Sequence, residues 1–311
     1  MKTIIKHENL TWISLFSPSA EEVAEISKKY TIHPLVAEEL ISLTMRPKVD
    51  VYAGILYLIL HFPFVTVPKQ PEISHEIDFV IGKDFLITAH YLPAQPLEKF
   101  IQGCKTQESF RKQYFGKNAS FLAISILKEL YNITIRQLDT MNIKINKVEK
   151  MIFEGEEKKM VKEISMLKRD VLDFQTTLYP HESVLSSLEE TYIENKKKQK
   201  DFFEKDFEHY LNTIIGEFTK IKNSIKNSKD TLETLRETNE SLLSTKTNEV
   251  MKVLTIMAFI TFPLMLLSSI FGMNTVNTPV VGIRGDFWII AGAMLTATTG
   301  MFLYFKKKKW L

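Results

Sequence analysis

Two charge-free segments close to the C-terminus constrain this chain more than any other feature of its sequence. Val253 to Phe271 and Phe287 to Phe305 each run nineteen residues without Asp, Glu, Lys or Arg. As helices rising ~1.5 Å per residue, each spans ~28 Å, close to the ~30 Å hydrocarbon core of a bilayer. The competing explanation is a buried hairpin in a soluble domain, but two adjacent segments of this length are hard to hide in a small core. The sequence therefore predicts two transmembrane helices.

The flanking charges give an orientation. Lys306 to Lys309 follow the second span directly, with Trp310 as an interfacial anchor, and Lys246 and Lys252 precede the first. The connector from Gly272 to Asp286 carries only Arg284 and Asp286. The positive-inside rule then puts both termini in the cytosol and the connector outside, in a multi-pass protein of the cell membrane. The opening run, Met1-Lys2-Thr3-Ile4-Ile5-Lys6-His7-Glu8, reaches a histidine and an acid before any apolar core forms, so it is not read as a secretory signal. A single cysteine, Cys104, rules out an internal disulfide and suits a reducing compartment. The formal charge of +3 offers no concentrated basic surface, and no nucleic-acid partner is expected.

The body divides by texture. Residues 1–117 read as a small cytosolic α/β domain. Trp12 to Leu15 is a strand, Ser19 with Glu22 is a capping box opening a helix to about Lys29, and Pro34 suits a first helical turn. Ile55 to Phe62 is a buried strand; the alternation Ile73, His75, Ile77, Phe79, Ile81 then turns at Gly82-Lys83-Asp84 into Phe85 to Ala89. Residues 118–248 form a long-helix stalk. Its first helix repeats Leu122, Ile126, Leu130 and Ile133, then Leu138, Met141, Ile145 and Val148. Gly155-Glu156 marks a turn, a second helix runs to about Asn195, and a third starts near Gln199 and meets no stop before Phe271. Residues 249–271 are the first transmembrane helix, 272–286 an external loop, 287–305 the second transmembrane helix and 306–311 a basic cytosolic tail. The fold class is thus an α+β cytosolic domain, a helical stalk and two C-terminal membrane helices.

Catalytic signatures are missing from the sequence. Histidines 7, 33, 61, 75, 90, 181 and 209 show no paired helical spacing, and there is no HExxH, phosphate loop, GxGxxG or nucleophile elbow. No enzyme and no cofactor are expected. Lys196-Lys197-Lys198 with Lys200 suits anionic lipid or a solvated helix junction equally.

On the first span, Asn248, Met251, Thr255, Ala258, Phe262, Met265 and Ser269 fall on one helical face, with Pro263 in mid-span. Small, polar and flexible side chains suit a helix-packing seam and a pore wall equally well. At the outer end stands Gly272-Met273-Asn274: a glycine able to end a helix in a left-handed turn, and an amide that offers an uncharged carbonyl acceptor.

These residues resemble the CorA family of magnesium transporters. The likeness rests on Phe271-Gly272-Met273-Asn274 after the first of two C-terminal spans, the lead-in Asn248 to Thr255, and the ending Phe305-Lys306-Lys307-Lys308-Lys309-Trp310-Leu311. Upstream, His33-Pro34-Leu35, Arg46-Pro47-Lys48 and Tyr179-Pro180 through Leu188 resemble family segments in the right order.

The resemblance implies a funnel-shaped homopentamer with membrane lipid and divalent metal ions as its other partners. Mg2+ would be its substrate and regulatory ligand, with Co2+ and Ni2+ as further permitted ions. The face from Asn248 to Ser269 would line the pore, Met251 and Leu254 would form an apolar constriction, and Gly272, Met273 and Asn274 would be the selectivity motif. Regulatory acids are expected at Asp206 and Glu208, with Asp84 as a partner; Lys205 stands where the family has an acid. The outer loop, Thr275-Val276-Asn277-Thr278-Pro279, departs from the acidic loops common in the family, and Phe262 replaces a common Met before Pro263. The rival readings are a Zn2+ transporter of the same fold and a membrane-anchored scaffold or signalling protein. A scaffold would tolerate Asn274→Ala, and a selective pore would not.

Overall fold

The computed structural model describes residues 1–64, 74–115, 118–197, 207–276, 279–308 and 310. It divides into two compact units, Met1–Arg236 and Glu237–Leu311.

The first unit is built on a sheet of strands β1 (Lys2–His7), β2 (Leu10–Phe16), β3 (Lys48–Tyr52), β4 (Ile55–Phe62), β5 (His75–Ile81) and β6 (Phe85–His90). Their spatial order is β1-β2-β6-β5-β4-β3. All neighbours are antiparallel except β2 and β6, which run parallel with Ile13 opposite Ile87. β4 and β5 are buried along their whole length because both faces of the sheet are covered. Residues of alternate parity on these strands therefore serve two separate cores.

Helices α1 (Ala20–Tyr30) and α2 (Pro34–Glu39) cover one face. Val23, Ile26, Val36 and Leu40 close there on Ile13, Leu15, Tyr57, Ile59, Val80 and Ile87. Each such side chain contributes ~1.5–3 kcal/mol by leaving water. The capping box at α1 forms as the sequence predicts: the Ser19 hydroxyl accepts from the Glu22 N–H, and the Glu22 carboxylate accepts from the Ser19 N–H. Pro34 opens α2, whose first turn is capped by His33 Nδ1 accepting from the Leu35 N–H at 3.3 Å.

The other face is covered by α3 (Gln95–Thr106), α4 (Glu108–Phe115) and α5 (Ala119–Phe153). Its centre is Trp12, fully buried edge-on to Phe100 and Phe115, with Nε1 donating to the Thr88 hydroxyl at 3.1 Å. α5 therefore extends a stalk-like repeat over the sheet; the apolar series from Leu122 to Val148 is its buried side, save that Ile133 is only partly buried.

The elements differ from the sequence expectation in the edge strands and in the second stalk helix. Strands β1 and β3 are not among the expected elements: both are edges, and every residue in them except Ile5 keeps some contact with water, so their apolar alternation is weak. The second stalk helix does not run through to Asn195. It breaks into α6 (Glu157–Leu178) and α7 (Pro180–Lys197). Pro180 lacks an N–H and its ring would collide with the carbonyl four residues back, so it starts a helix and cannot continue one. The expected start of the third helix near Gln199 lies outside the described residues; α8 is described from Phe207 to Phe271.

The second unit holds the end of α8 and α9 (Asp286–Lys307). Both are long and apolar enough to cross a membrane. α9 extends one residue before and two beyond its charge-free run. Asp286 in the first turn and Lys306 and Lys307 in the last complement the helix dipole, so the charges prolong the helix.

Candidate functional site

The sequence singled out one face of α8, and the structure shows what the rest of that helix does. Between Val253 and Phe271, one series of α8 residues is shielded from solvent, Ile256, Ile260, Leu264, Leu267 and Phe271, spaced by four, four, three and four. They make one stripe, with Ile256 the most buried. α9 carries its own shielded stripe in Ile290, Met294, Ala297, Met301 and Phe305.

At about 100° per residue, Asn248, Met251, Thr255, Ala258, Phe262, Met265 and Ser269 centre on the side of α8 opposite its shielded stripe. All are exposed except Ala258, which is partly shielded. Phe262 and Met265 leave about two-thirds of their surface uncovered, at 65% and 64%. Leu254 is exposed at the margin of this face. The face therefore does not serve the packing that shields the other side of the helix, and an uncovered apolar-polar face of this length points to a further partner or a lumen.

The helix keeps its course through Pro263. That residue cannot donate to the carbonyl of Phe259, and in the turns before it hydroxyls back-bond along the helix. Thr255 donates to Met251 O at 2.7 Å and Thr261 to Met257 O at 3.0 Å. Such side-chain donors stabilise carbonyls that water cannot reach in a bilayer.

At the end of α8, the Gly272 N–H closes the last turn onto Ser268 O at 3.0 Å, and Met273 N–H bonds Ile270 O at 3.3 Å. Gly272 is not in the left-handed region; the described glycines that are include Gly282 and Gly285 of the connector. Its smallness serves a different need. A Cβ there would stand 3.1 Å from the Ser268 carbonyl oxygen, inside comfortable contact. Met273 and Asn274 follow as exposed residues beyond the helix end, so the amide of Asn274 is held clear of the chain's own packing.

The connector is pinned at its far end by its one acid, Asp286. Asp286 Oδ2 accepts from Gly282 N–H at 3.0 Å and Oδ1 from Phe287 N–H at 2.6 Å. With Gly282 and Gly285 at positive φ, this carboxylate folds the loop back on the start of α9.

The expected regulatory acids are placed less closely. Asp84 is exposed in the turn between β5 and β6, where its carbonyl accepts from Thr11 N–H at 3.0 Å. Glu208, in the first turn of α8, is held by Lys196 at 2.8 Å and Tyr192 at 3.2 Å, and the ammonium keeps its carboxyl below the usual carboxylate range. Asp206 lies outside the described residues. Among the described residues of the single chain, no three His, Cys, Asp or Glu side chains gather as a metal site.

Comparison with known proteins completes the assignment. A family model described as CorA-like Mg2+ transporter protein matches residues 7–307. The cobalt/magnesium transport protein CorA of Thermotoga maritima is 26% identical over 303 residues, covering 97% of this chain and 83% of the relative. The complete structure of the CorA magnesium transporter from Methanocaldococcus jannaschii superposes with a TM-score of 0.79 at 21% identity, over 99% of this chain and 94% of that one. The cytoplasmic domain of ZntB from Vibrio parahaemolyticus shares the fold at a TM-score of 0.61 and 13% identity, covering 76% of this chain and 88% of that domain. The family match spans the α+β unit, the long helix and both apolar helices, and on it this chain belongs to the CorA-like Mg2+ transporter family, a membrane transport protein and not an enzyme.

Proposed function

We propose that the chain is the subunit of a homopentameric, funnel-shaped channel through which Mg2+, with Co2+ and Ni2+ as further permitted ions, enters the cell down the membrane potential. The observation that carries this reading is the position of the expected pore face on α8, opposite the stripe already shielded within the unit. Five such faces around an axis leave their apolar stripes outward for α9, and the lumen receives the mixed face.

The chemistry suits the ion. Mg2+ gives up its water reluctantly and usually keeps several of its first-shell molecules. A ring of Asn274 carbonyls at the outer mouth, shaped by Gly272 and Met273, accepts hydrogen bonds from that water without a charge that would trap the ion. A second neutral ring at Asn248 lies near the inner end. Met251 and Leu254 between them form an apolar constriction able to close by dewetting. Two charges crossing ~100 mV gain ~4.6 kcal/mol, sufficient without a coupled reaction. The lysines after α9 put both termini in the cytosol. Cytosolic Mg2+ regulates the pore through acids that meet across subunit boundaries. Asp84 and Glu208, both exposed, and Asp206 are the residues assigned to this role.

The test is ion uptake into proteoliposomes with an inside-negative potential, comparing wild type with Asn274→Ala. Mg2+ entry that disappears in the variant is expected. Zn2+ uptake without Mg2+ uptake would replace this reading with a zinc transporter of the same fold. No divalent flux at low internal Mg2+ would leave a membrane scaffold.

A further inference from the structure

Inside the first unit, on the face covered by α2, lies a group of acids that the transport reading does not use. Glu76 and Asp78 are two apart on β5 and so point to the same side of the sheet. They are buried, at 2% and 0% exposure, in a strand otherwise made almost entirely of apolar residues. The carboxylate of Glu76 lies near enough to favour a proton on Asp78.

The groups around them are mostly neutral. Glu76 accepts from the Thr44 N–H at 2.7 Å and the Thr44 hydroxyl at 3.0 Å. Asp78 Oδ2 accepts from the Tyr91 hydroxyl at 2.9 Å and, weakly, from Tyr57 at 3.4 Å. Asp78 Oδ1 is buried with no N–H or O–H donor. From β4, His61 Nε2 stands 3.3 Å from Glu76 and 3.1 Å from the Thr44 carbonyl. From α2, Glu39 faces the group, but its carboxylate is paired with Lys48 of β3 at 2.7 Å, and Lys48 is shared with Asp50 at 2.9 Å.

Four carboxyl groups thus meet one lysine and one histidine, and the lysine is already committed to the outer two acids. Two adjacent buried carboxylates that face, among the described residues, only hydroxyls, one amide and one imidazole cannot both stay ionised. The oxygen without a donor is where a proton on one acid, shared with the other, satisfies the pair. Burial and the neighbouring Glu76 both favour the protonated form of Asp78.

We infer that Glu76 and Asp78 form a buried proton-binding site, which holds one shared proton at neutral pH and whose deprotonation in alkaline solution loosens the corner between α2 and β3. The proton leaves to water or hydroxide, and the two resulting carboxylates repel across β5. Protons bound by the native but not the unfolded chain make stability fall as pH rises through the native titration. The site is therefore an alkaline limit built into the sheet.

The experiment uses the full-length protein in detergent, with infrared spectra and thermal midpoints recorded from pH 6 to pH 10. A protonated-carboxyl stretch at pH 7 is expected in wild type. It should be absent from Asp78→Asn, whose midpoint should also decline less above pH 8. Glu76→Gln gives an independent reading should Asp78→Asn fail to fold, since without the second carboxylate the midpoint should again decline less above pH 8. An unchanged carboxyl band and an unchanged alkaline decline in a folded variant would overturn the assignment. Wild type alone is also decisive in one direction, since lack of any protonated-carboxyl absorption at pH 7 refutes it.

Discussion

Tyr131 on α5 and His181 on α7 meet in a 2.9 Å hydrogen bond between two fully buried side chains. The other ring nitrogen of His181, Nε2, lies 2.8 Å from the carbonyl oxygen of His61 on β4 and must carry the proton. Nδ1 therefore accepts from the tyrosine, and the neutral ring satisfies all three elements at once.

Burial lowers the His181 pKa to about 3, and that of His90 to about 4. The unfolded chain takes up these protons near pH 6.5, while the native state refuses them until far lower. The stability they give is complete above pH 6.5 and is lost as pH falls toward the native values, by up to ~1.4 kcal/mol per pH unit for each ring. Thermal midpoints between pH 4 and 7 should show this acid limb, and His181→Gln should flatten it. An equal slope in the variant would remove His181 from the account.

Trp12→Ala should cost about 3–5 kcal/mol, because the indole fills the core against Phe100 and Phe115 and no neighbour can take its volume. Trp12→Phe should cost less, chiefly through the Thr88 hydroxyl losing its donor. Denaturant titration of the folded protein measures both.

Gly272→Ala should impair flux while leaving expression and oligomer size intact, since its Cβ would press on the Ser268 carbonyl and displace the residues that follow. Gly216→Ala is the matching control. It meets open space in α8 and should be neutral or stabilise by up to ~1 kcal/mol through helix propensity. Parallel uptake and melting measurements distinguish the two.

Leu254→Asn should raise basal Mg2+ uptake several-fold by wetting the constriction assigned to that level of α8. Ile256→Asn, two residues on but in the shielded stripe, should instead lower stability without opening a path. Equal effects at the two positions would mean that the two faces of α8 are not distinct.

Lys196→Gln releases Glu208 from its ion pair. The half-inhibiting concentration of internal Mg2+ should fall if that carboxylate takes part in regulation, with the thermal midpoint unmoved. An unaltered inhibition curve would take Glu208 out of the regulatory set.

The sequence is most informative where local signals agree with tertiary demands. The Ser19–Glu22 box, the wholly buried β4 and the two charge-free spans all formed close to their expected positions. The face from Asn248 to Ser269 was also visible from spacing alone, although spacing could not say which side of α8 would be shielded. Edge strands β1 and β3 escaped notice because half-exposed residues carry a diluted period. The stop between α6 and α7 rests on Pro180 alone, one residue within a long stretch of helical periodicity. Glu76 and Asp78 were hidden by distance, since Thr44, Tyr57 and Tyr91 reach them from other strands and loops. The regulatory acids do not gather within the described part of one chain, so their spacing in sequence carries no geometry.

The parallel pairing of β2 with β6 also fixes an order of events during synthesis. Thr11 pairs with Phe85, so the β1–β2 hairpin has no sheet to join until ~74 more residues have been made. At translation rates of roughly 5–20 residues per second, that wait is on the order of 4–15 s. Throughout it, Trp12 lacks the Phe100 and Phe115 rings that cover it, whereas β4, β5 and β6 can assemble as a meander as soon as they emerge. The N-terminal hairpin, although made first, is thus the last strand pair able to join the sheet.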